Sequence, residues 1–380
     1  MGLKKVYLDY AATTPVDKQV VEAMAPFWFE NFGNTMSLHY FGREAKKALE
    51  KAREEIAGTI GAKPEEIIFT SSATESNNTV LRGIKAKHII ISSIEHACIK
   101  ETAEWLEGQG VKITRVPVDK FGRVNPEDVE KAITKDTGLV SIIHASNEIG
   151  TIEPIGEIGK ICRTHNVLFH TDAAQTFGKI SIDVKKMNID LLTASSHKIY
   201  GPKGAALLFV KQGVKINPFL RGGGQEFGLR SSTVNLPAIV GFAKATRIAK
   251  EEMEKEAARQ IKLRDKIIEE VLKIKESYLT GDPKNRLPNN ASFYFSFIEG
   301  ESIILQLDLA GIATSTGSAC SSLKLEPSHV LLATGLKPEQ AHGSLRVSLG
   351  RFTSEEEIDY FLSVLPGIIE KLRKISPYGK

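Results

Sequence analysis

Short apolar runs alternate with stretches of helical periodicity through the first two-thirds of the chain. Several runs are apolar at nearly every position, as in IIIS, LVSII and ALLFV. Such runs are typical of strands that are covered on both faces of a parallel or mixed sheet. Helical spacers at 126–133 and 155–164 lie between them. The predicted strands are 66–70, 88–92, 112–116, 139–144, 167–171, 190–194 and 205–210.

This alternation predicts an α/β domain with a seven-stranded, mainly parallel sheet. A long amphipathic stretch at 238–275, without proline or glycine after Gly241, predicts one or two helices that lead out of it. The segments that follow predict a smaller α+β domain. We therefore expect a large domain at 16–250 and a small domain formed by 1–15 and 251–380. A loop of small residues at about 315–325 is expected to be mobile.

Composition excludes several classes of protein. The 380 residues carry a formal charge of +4, with basic and acidic residues interspersed, so no nucleic-acid partner is expected. The N-terminus has no signal-peptide core, and no run of about 18 apolar residues predicts a membrane span. Three scattered cysteines form neither a disulfide framework nor a zinc motif. These features favour a protein of the reducing cytoplasm.

Lys198 is the first candidate for chemistry. It lies in the polar turn SSHKIYGPKG, between two apolar runs. Such a lysine can be near the core and still accessible to a ligand, which suits Schiff-base formation. The neighbouring Ser195 and His197 could bind a phosphate, and the combination suggests pyridoxal phosphate (PLP). A lysine in a glycine-containing turn is otherwise most often a surface residue.

Further candidates follow the other strands, where open α/β sheets bind ligands. Thr74 could cap a helix that starts near Glu75 and thereby form an anion site. His96 could stack on a planar ring or move a proton. Asp172 directly follows an apolar strand and would need a cationic partner such as a pyridinium nitrogen. The same residues also have plain structural interpretations, as caps and loop residues.

The rest of the chain adds a thiol and a guanidinium. Cys320 lies in the run of small residues at 315–322, where a thiol would be accessible. Arg346 lies in an alternating run and could bind a substrate carboxylate at two points, or form a surface salt bridge. Cys98 and Cys162 fit structural roles better, although Cys98 closely follows His96.

Together these motifs resemble the cysteine desulfurases of the NifS/IscS type, within the class V aminotransferases and the fold-type I PLP enzymes. The resemblance runs from residue 7 to about 353. The matching motifs are YLDYAATTP, SLHYFGREA, TSSATESNN, EHACI, SNEIGTIEPIG, HTDAAQTFGK, SSHKIYGPKG, RGGGQEFGLRSSTVN, TGSACSS and LRVSLGRFT. The TGSACSS motif resembles the long-loop branch of the family. The segment Gly33–Ser37 departs from the family, which usually has proline and serine after Asn34.

The resemblance implies a role for each matching residue. Lys198 would bind PLP as an imine, and His96 would stack on its ring and assist proton transfer. Asp172 would pair with the pyridine nitrogen, and Gln175 with the ring hydroxyl. The remaining cofactor contacts would come from Ala73, Thr74, Asn147, Ser195 and His197, and from Thr233 of the partner subunit in a homodimer. Asn147, Arg346 and Asn34 would bind the substrate, and Cys320 would accept the sulfur.

The implied reaction converts L-cysteine to L-alanine and leaves a persulfide on Cys320. The sulfur would then pass to an acceptor such as an iron–sulfur scaffold protein. No resident metal is expected, although Cys320 could briefly ligate a cluster on a bound scaffold. The alternatives are a selenocysteine lyase, an aminotransferase, or a sulfur-relay platform that acts mainly by binding partners.

Overall fold

The computed structural model describes residues 5–317 and 326–377. The strands are β1 (Val6–Tyr7), β2 (Ile67–Thr70), β3 (His88–Ser92), β4 (Lys112–Val116), β5 (Thr137–Ser141), β6 (Leu168–Asp172), β7 (Leu191–Ser195), β8 (Ala206–Val210), β9 (Ser277–Leu279), β10 (Asn290–Phe295), β11 (Ile312–Ala313) and β12 (Ser344–Ser348). The helices are α1 (Lys18–Met24), α2 (Pro26–Phe29), α3 (Tyr40–Ile60), α4 (Ala73–Gly83), α5 (Ala97–Glu107), α6 (Pro126–Ala132), α7 (Ile155–Thr164), α8 (Leu236–Val271), α9 (Gly300–Leu309), α10 (His329–Ala333), α11 (Pro338–His342) and α12 (Glu355–Ile375).

Seven strands form the main sheet, in the order β2-β8-β7-β6-β5-β3-β4. Strands β3 to β7 run parallel, and β8 runs antiparallel to both β7 and β2. The predicted seven-stranded, mainly parallel sheet is therefore confirmed. The predicted strand at 139–144 was placed too late, because β5 pairs with β3 only as far as Ser141. After Ser141, Ile142 and His144 still donate backbone hydrogen bonds to β6, whereas Ile143 donates to the Glu95 carboxylate.

Both faces of this sheet are covered, which explains its continuous apolar strands. Phe69, Val140 and Phe169 pack in one cluster with apolar residues of α3, α7 and the first half of α8. Their neighbours Ile68 and Leu139 point the other way and pack against α4 and α5. Because side chains alternate along a strand, a sheet between two helical layers needs apolar residues at consecutive positions.

The C-terminal third forms a second apolar cluster around the antiparallel sheet β12-β10-β9. Helices α9 and α12 and the end of α8 pack against this sheet. Strand β1 joins the same cluster through its parallel pairing with β11. Helix α8 runs without a break through residue 250, so the division of the chain at that residue stays a prediction. None of the described helices is both long enough and apolar enough to span a bilayer.

Candidate active site

The carboxyl ends of the parallel strands bring the predicted residues together. Strand β3 pairs with β4 on one side and with β5 on the other. Successive strands are therefore added in opposite directions across the sheet on the two sides of the gap between β3 and β5, although β3, β4 and β5 all run parallel. His96 follows β3 and Asn147 follows β5. Ligands of open α/β sheets bind at such a switch point. Strands β6 and β7 end beside it in Asp172 and Ser195.

Lys198 ends a short 3-10 helix, Ser196–Lys198, that directly follows β7. Its Nζ donates to the carbonyl oxygens of Ala11 at 2.6 Å and Ala12 at 2.8 Å. The Ala11 carbonyl also accepts a hydrogen bond of 2.9 Å from Gln175 Nε2. The N-terminal segment that follows β1 therefore forms one wall of the site and holds both side chains.

Asp172 is a buried carboxylate with neutral hydrogen-bond donors. Its Oδ2 accepts from Asn77 Nδ2 at 2.6 Å, and its Oδ1 accepts from the backbone N–H of Ala174 at 2.9 Å. Only 4% of the residue is exposed. Because burial of a carboxylate is costly, a cationic N–H of a bound ring is a favourable partner for this group.

His96 is the N-cap of α5. Its Nδ1 accepts from the backbone N–H of Cys98 at 3.2 Å. Burial lowers the pKa of His96, and the charge of Lys198 lowers it further, while Asp172 raises it. The imidazole is therefore within electrostatic range of both other site residues and favours its neutral form.

The first turn of α4 and the end of β7 provide donors for an anion. Ser72, rather than the predicted Thr74, is the N-cap of α4, since its Oγ accepts from Glu75 N at 3.1 Å. The prediction of Thr74 as the cap was wrong because Ser72 is the last extended residue and Ala73 is already helical. Ala73 and Thr74 therefore lie in the first turn, where backbone N–H groups are free to bind anions.

His197 lies in the 3-10 helix that follows β7. Its Nδ1 is 3.1 Å from Thr13 Oγ1. Burial, and after it the charge of Lys198, lowers its pKa to about 4. The ring is therefore neutral at pH 7 and keeps one N–H for a hydrogen bond.

Arg346 joins the second sheet to the site. Its Nη2 donates to Asp9 Oδ1 at 2.9 Å, and its Nη1 donates to the Asn147 carbonyl at 2.9 Å. The side chain is 2% exposed, so the alternative of a surface salt bridge is wrong. Its Nε is buried and has no hydrogen-bond partner within the described residues. A buried, unpaired guanidinium donor fits a ligand carboxylate.

Two predicted site residues, Asn34 and Thr233, are not brought into this group within the described chain. Asn34 is exposed and accepts from Met36 N within its own turn, at 3.0 Å. Thr233 is exposed, in the loop before α8. Cys320 lies outside the described residues.

Sequence reasoning missed two residues that hold the site. Asn77 lies one helical turn after Thr74, within the quoted motif TSSATESNN, and that spacing could have indicated it. Asp9 lies in YLDYAATTP, but its pairing with Arg346 links opposite ends of the chain, and no local pattern predicts that.

This set of side chains fits PLP. Lys198 has the amine for an aldehyde, Asp172 the buried carboxylate for a pyridine nitrogen, and His96 a ring to stack. Helix α4 and His197 provide neutral donors for a phosphate.

Residues 6–361 match the aminotransferase class-V family. The chain is 54% identical to a cysteine desulfurase IscS of Dictyoglomus turgidum, over 99% of this chain and 97% of that protein. It is 53% identical to the cysteine desulfurase IscS 1 of Archaeoglobus fulgidus, over 98% of both chains. A solved NifS-like protein superposes with a TM-score of 0.92 at 40% identity, over 97% of this chain and 100% of the other. The chain therefore belongs to the aminotransferase class-V family.

Proposed function

We propose that this protein is a PLP-dependent cysteine desulfurase, which converts L-cysteine to L-alanine and passes the sulfur to Cys320. One observation carries the proposal: Lys198, Asp172 and His96 meet at the switch point of the sheet, in a chain that matches cysteine desulfurases over almost its full length. The cytoplasmic location expected from the sequence stays a prediction.

PLP supplies an electron-withdrawing ring that labilises the bonds at the substrate Cα. Lys198 would hold it covalently, and the Asp172 carboxylate would keep its ring nitrogen protonated. Gln175 would contact the ring hydroxyl. The first turn of α4, Ser195 and His197 would bind the phosphate, with Thr233 from a partner subunit. Lys198 and His96 are the groups placed to move protons.

The substrate carboxylate would bind between Arg346 and Asn147. Arg346 is already oriented by Asp9 and by the Asn147 carbonyl, so its free Nε–H can bind without reorganisation of the side chain. Such preorganisation favours both binding and alignment of the reacting atoms.

The described residues on either side of Cys320 support its role as sulfur acceptor. Ser315 exchanges backbone hydrogen bonds with Arg346. After the segment 318–325, the Ser328 hydroxyl donates to Glu148 at 2.5 Å, one residue from Asn147. Ser315 and Ser328, which flank this segment in the sequence, therefore lie beside the proposed substrate position. A thiolate there would attack the substrate sulfur, and the persulfide would pass to an iron–sulfur scaffold protein.

An exposed aromatic surface supports a homodimer. Between α2 and the start of α3, the exposed apolar side chains are Trp28, Phe29, Phe32, Met36, Leu38, Tyr40 and Phe41. Apolar patches of this kind mark protein interfaces, and the turn that contains Asn34 lies within this surface. Light scattering should give a dimer mass for the wild type and a monomer mass for Phe32→Asp. A monomeric wild type would remove Thr233 from the proposed site.

The direct test is the absorbance spectrum of the PLP-loaded protein, followed by an alanine assay with L-cysteine and a reductant. Lys198→Ala should lose the visible band of the bound imine. Cys320→Ala should keep that band and release no sulfide, and Cys162→Ala is the matched control that should retain both. Full turnover by Cys320→Ala would refute the sulfur acceptor, and amino transfer to a keto acid in place of desulfuration would favour an aminotransferase.

A further inference from the structure

Cys98 lies between the residues that the proposed function uses. Its Sγ is 3.0 Å from His96 Nδ1 and 3.1 Å from Asn77 Nδ2. One thiol therefore contacts both the residue proposed to stack on the cofactor and the amide that holds Asp172.

The direction of these hydrogen bonds follows from the backbone. His96 Nδ1 accepts from the backbone N–H of Cys98, so it carries a lone pair and not a proton. The neutral ring must then carry its proton on Nε2. The Cys98 S–H can share the same Nδ1 lone pair in a bifurcated hydrogen bond, and this tautomer is the one that accepts from both donors. Protonation of Nδ1 would break both bonds.

Asn77 extends the contact to Asp172. Since Asp172 Oδ2 is an acceptor, the Asn77 atom at 2.6 Å must be the amide nitrogen. The same nitrogen donates its second hydrogen to Cys98 Sγ. The amide oxygen is fully buried and has no hydrogen-bond partner in the part of the chain that the structure describes. The two N–H groups of Asn77 therefore make all the hydrogen bonds of this amide among the described residues, one to Asp172 and one to Cys98.

The thiol keeps its proton in this position. Burial raises the pKa of Cys98 to about 12, and the charge of Asp172 raises it as well. The sulfur therefore serves at the same time as acceptor from Asn77 and donor to His96.

We propose that Cys98 is a positioning residue, which holds His96 in the neutral Nε2–H tautomer and joins it through Asn77 to Asp172. His96 would then offer an N–H, rather than a lone pair, to a molecule bound at the switch point. The meaning of this tautomer for catalysis rests on the proposed function. The tautomer itself does not, because it follows from contacts within this chain.

The test measures the ¹⁵N chemical shifts of the His96 ring in the cofactor-free protein across pH, with His96→Gln used for assignment. The wild type should show the Nε2–H tautomer. Cys98→Ala should raise the pKa of His96 by about 0.5 to 1 unit, since one hydrogen bond to the unprotonated Nδ1 is lost. Cys98→Ser should restore most of the wild-type value, and Cys162→Ala should leave it unchanged.

A wild-type ring protonated on Nδ1, or an equal pKa in the wild type and Cys98→Ala, would overturn the proposal. A purely structural role would make Ala and Ser lower the melting temperature equally and leave the His96 pKa in place. In the PLP-loaded enzyme, the apparent pKa on the acid side of the kcat/KM–pH profile should be raised by Cys98→Ala. Cys98→Ser should restore most of the wild-type value, and Cys162→Ala should leave it unchanged. Absence of desulfurase activity in all of them would reject the proposed function and leave the tautomer result standing.

Discussion

The seven-stranded and the three-stranded sheets differ in where they place ionisable groups. The seven-stranded sheet gathers Asp172, His96, Lys198, Glu95 and His144 at or next to the ends of its strands. The three-stranded sheet presents a core of Phe293, Phe295, Leu345 and Val347, from which Arg346 reaches across to the site. Burial shifts the pKa values of Glu95, His96 and His144, and buried ionisable groups with shifted pKa values are typical of functional sites. The larger sheet therefore carries the chemistry, and the smaller sheet orients one guanidinium.

The largest effect on stability should come from the core of the smaller sheet. Phe295 is fully buried there. Phe295→Ala should lower the free energy of unfolding by about 3–5 kcal/mol, because it removes an aromatic ring and leaves a cavity. Denaturant unfolding would measure this loss. Leu309→Ala, at an exposed position of α9, is the control and should change stability by less than about 1 kcal/mol. Equal losses would mean that this cluster is not a packed core.

At the carboxyl end of β6, Asp172→Asn should weaken catalysis strongly. The variant keeps the size of the side chain and loses the charge proposed to hold a protonated ring nitrogen. We expect kcat/KM to fall about 100-fold, or about 2.7 kcal/mol. Steady-state kinetics with L-cysteine would measure the fall. Wild-type kinetics in this variant would contradict the pairing.

A pH experiment tests Glu95, a buried carboxyl group that follows β3. Burial raises the pKa of Glu95 to about 8, and its Oε2 has no hydrogen-bond partner within the described residues. The folded state therefore holds a proton that the unfolded chain releases near pH 4.5, and the stability that this provides is lost as pH rises through 8. Lys179, with its pKa lowered by burial to about 7, has the opposite sign, so variants are compared with one another.

Glu95→Gln mimics the protonated carboxyl group, so the stability of this variant should not fall with pH through the ionisation of residue 95. Its free energy of unfolding, relative to the wild type, should rise by roughly 2 kcal/mol between pH 6.5 and 8. Denaturant unfolding at the two pH values gives the difference. A constant difference would show that Glu95 is ionised in the folded protein throughout this range.

The smallest expected effect concerns Arg346, the side chain of the smaller sheet that contacts the site. Arg346→Lys keeps the charge but cannot bind Asp9, the Asn147 carbonyl and a carboxylate at once. We expect KM for L-cysteine to rise about 10-fold, or about 1.4 kcal/mol, with a smaller change in kcat. An unchanged KM would separate Arg346 from substrate binding.

Sequence patterns predicted the larger sheet better than the details of the site. The strands were found because a sheet covered on both faces needs apolar residues at consecutive positions, as in β3 and β8. The local positions of Lys198, His96 and Asp172 followed from the ends of these strands. Their roles, and those of Asn34, Thr233 and Cys320, stay predictions.

What the sequence could not predict depends on contacts between distant residues. The pairing of Asp9 with Arg346 and of Asn77 with Cys98 depends on how strands and helices pack, and spacing does not encode it. The cap of α4 was misplaced by two residues because Ser72 and Thr74 are both capping residue types. The extended backbone of Ser72 and its hydrogen bond from Glu75 N distinguish them.

The pairing of the first strand with β11 has a consequence for how the chain is made. Val6 is synthesised well before its partner Ile312. At about 5–20 residues per second, roughly 15 to 60 s separate the two. The nascent chain must therefore keep its first strand unpaired while the larger sheet assembles, and the wall of the site closes only after β11 has been made.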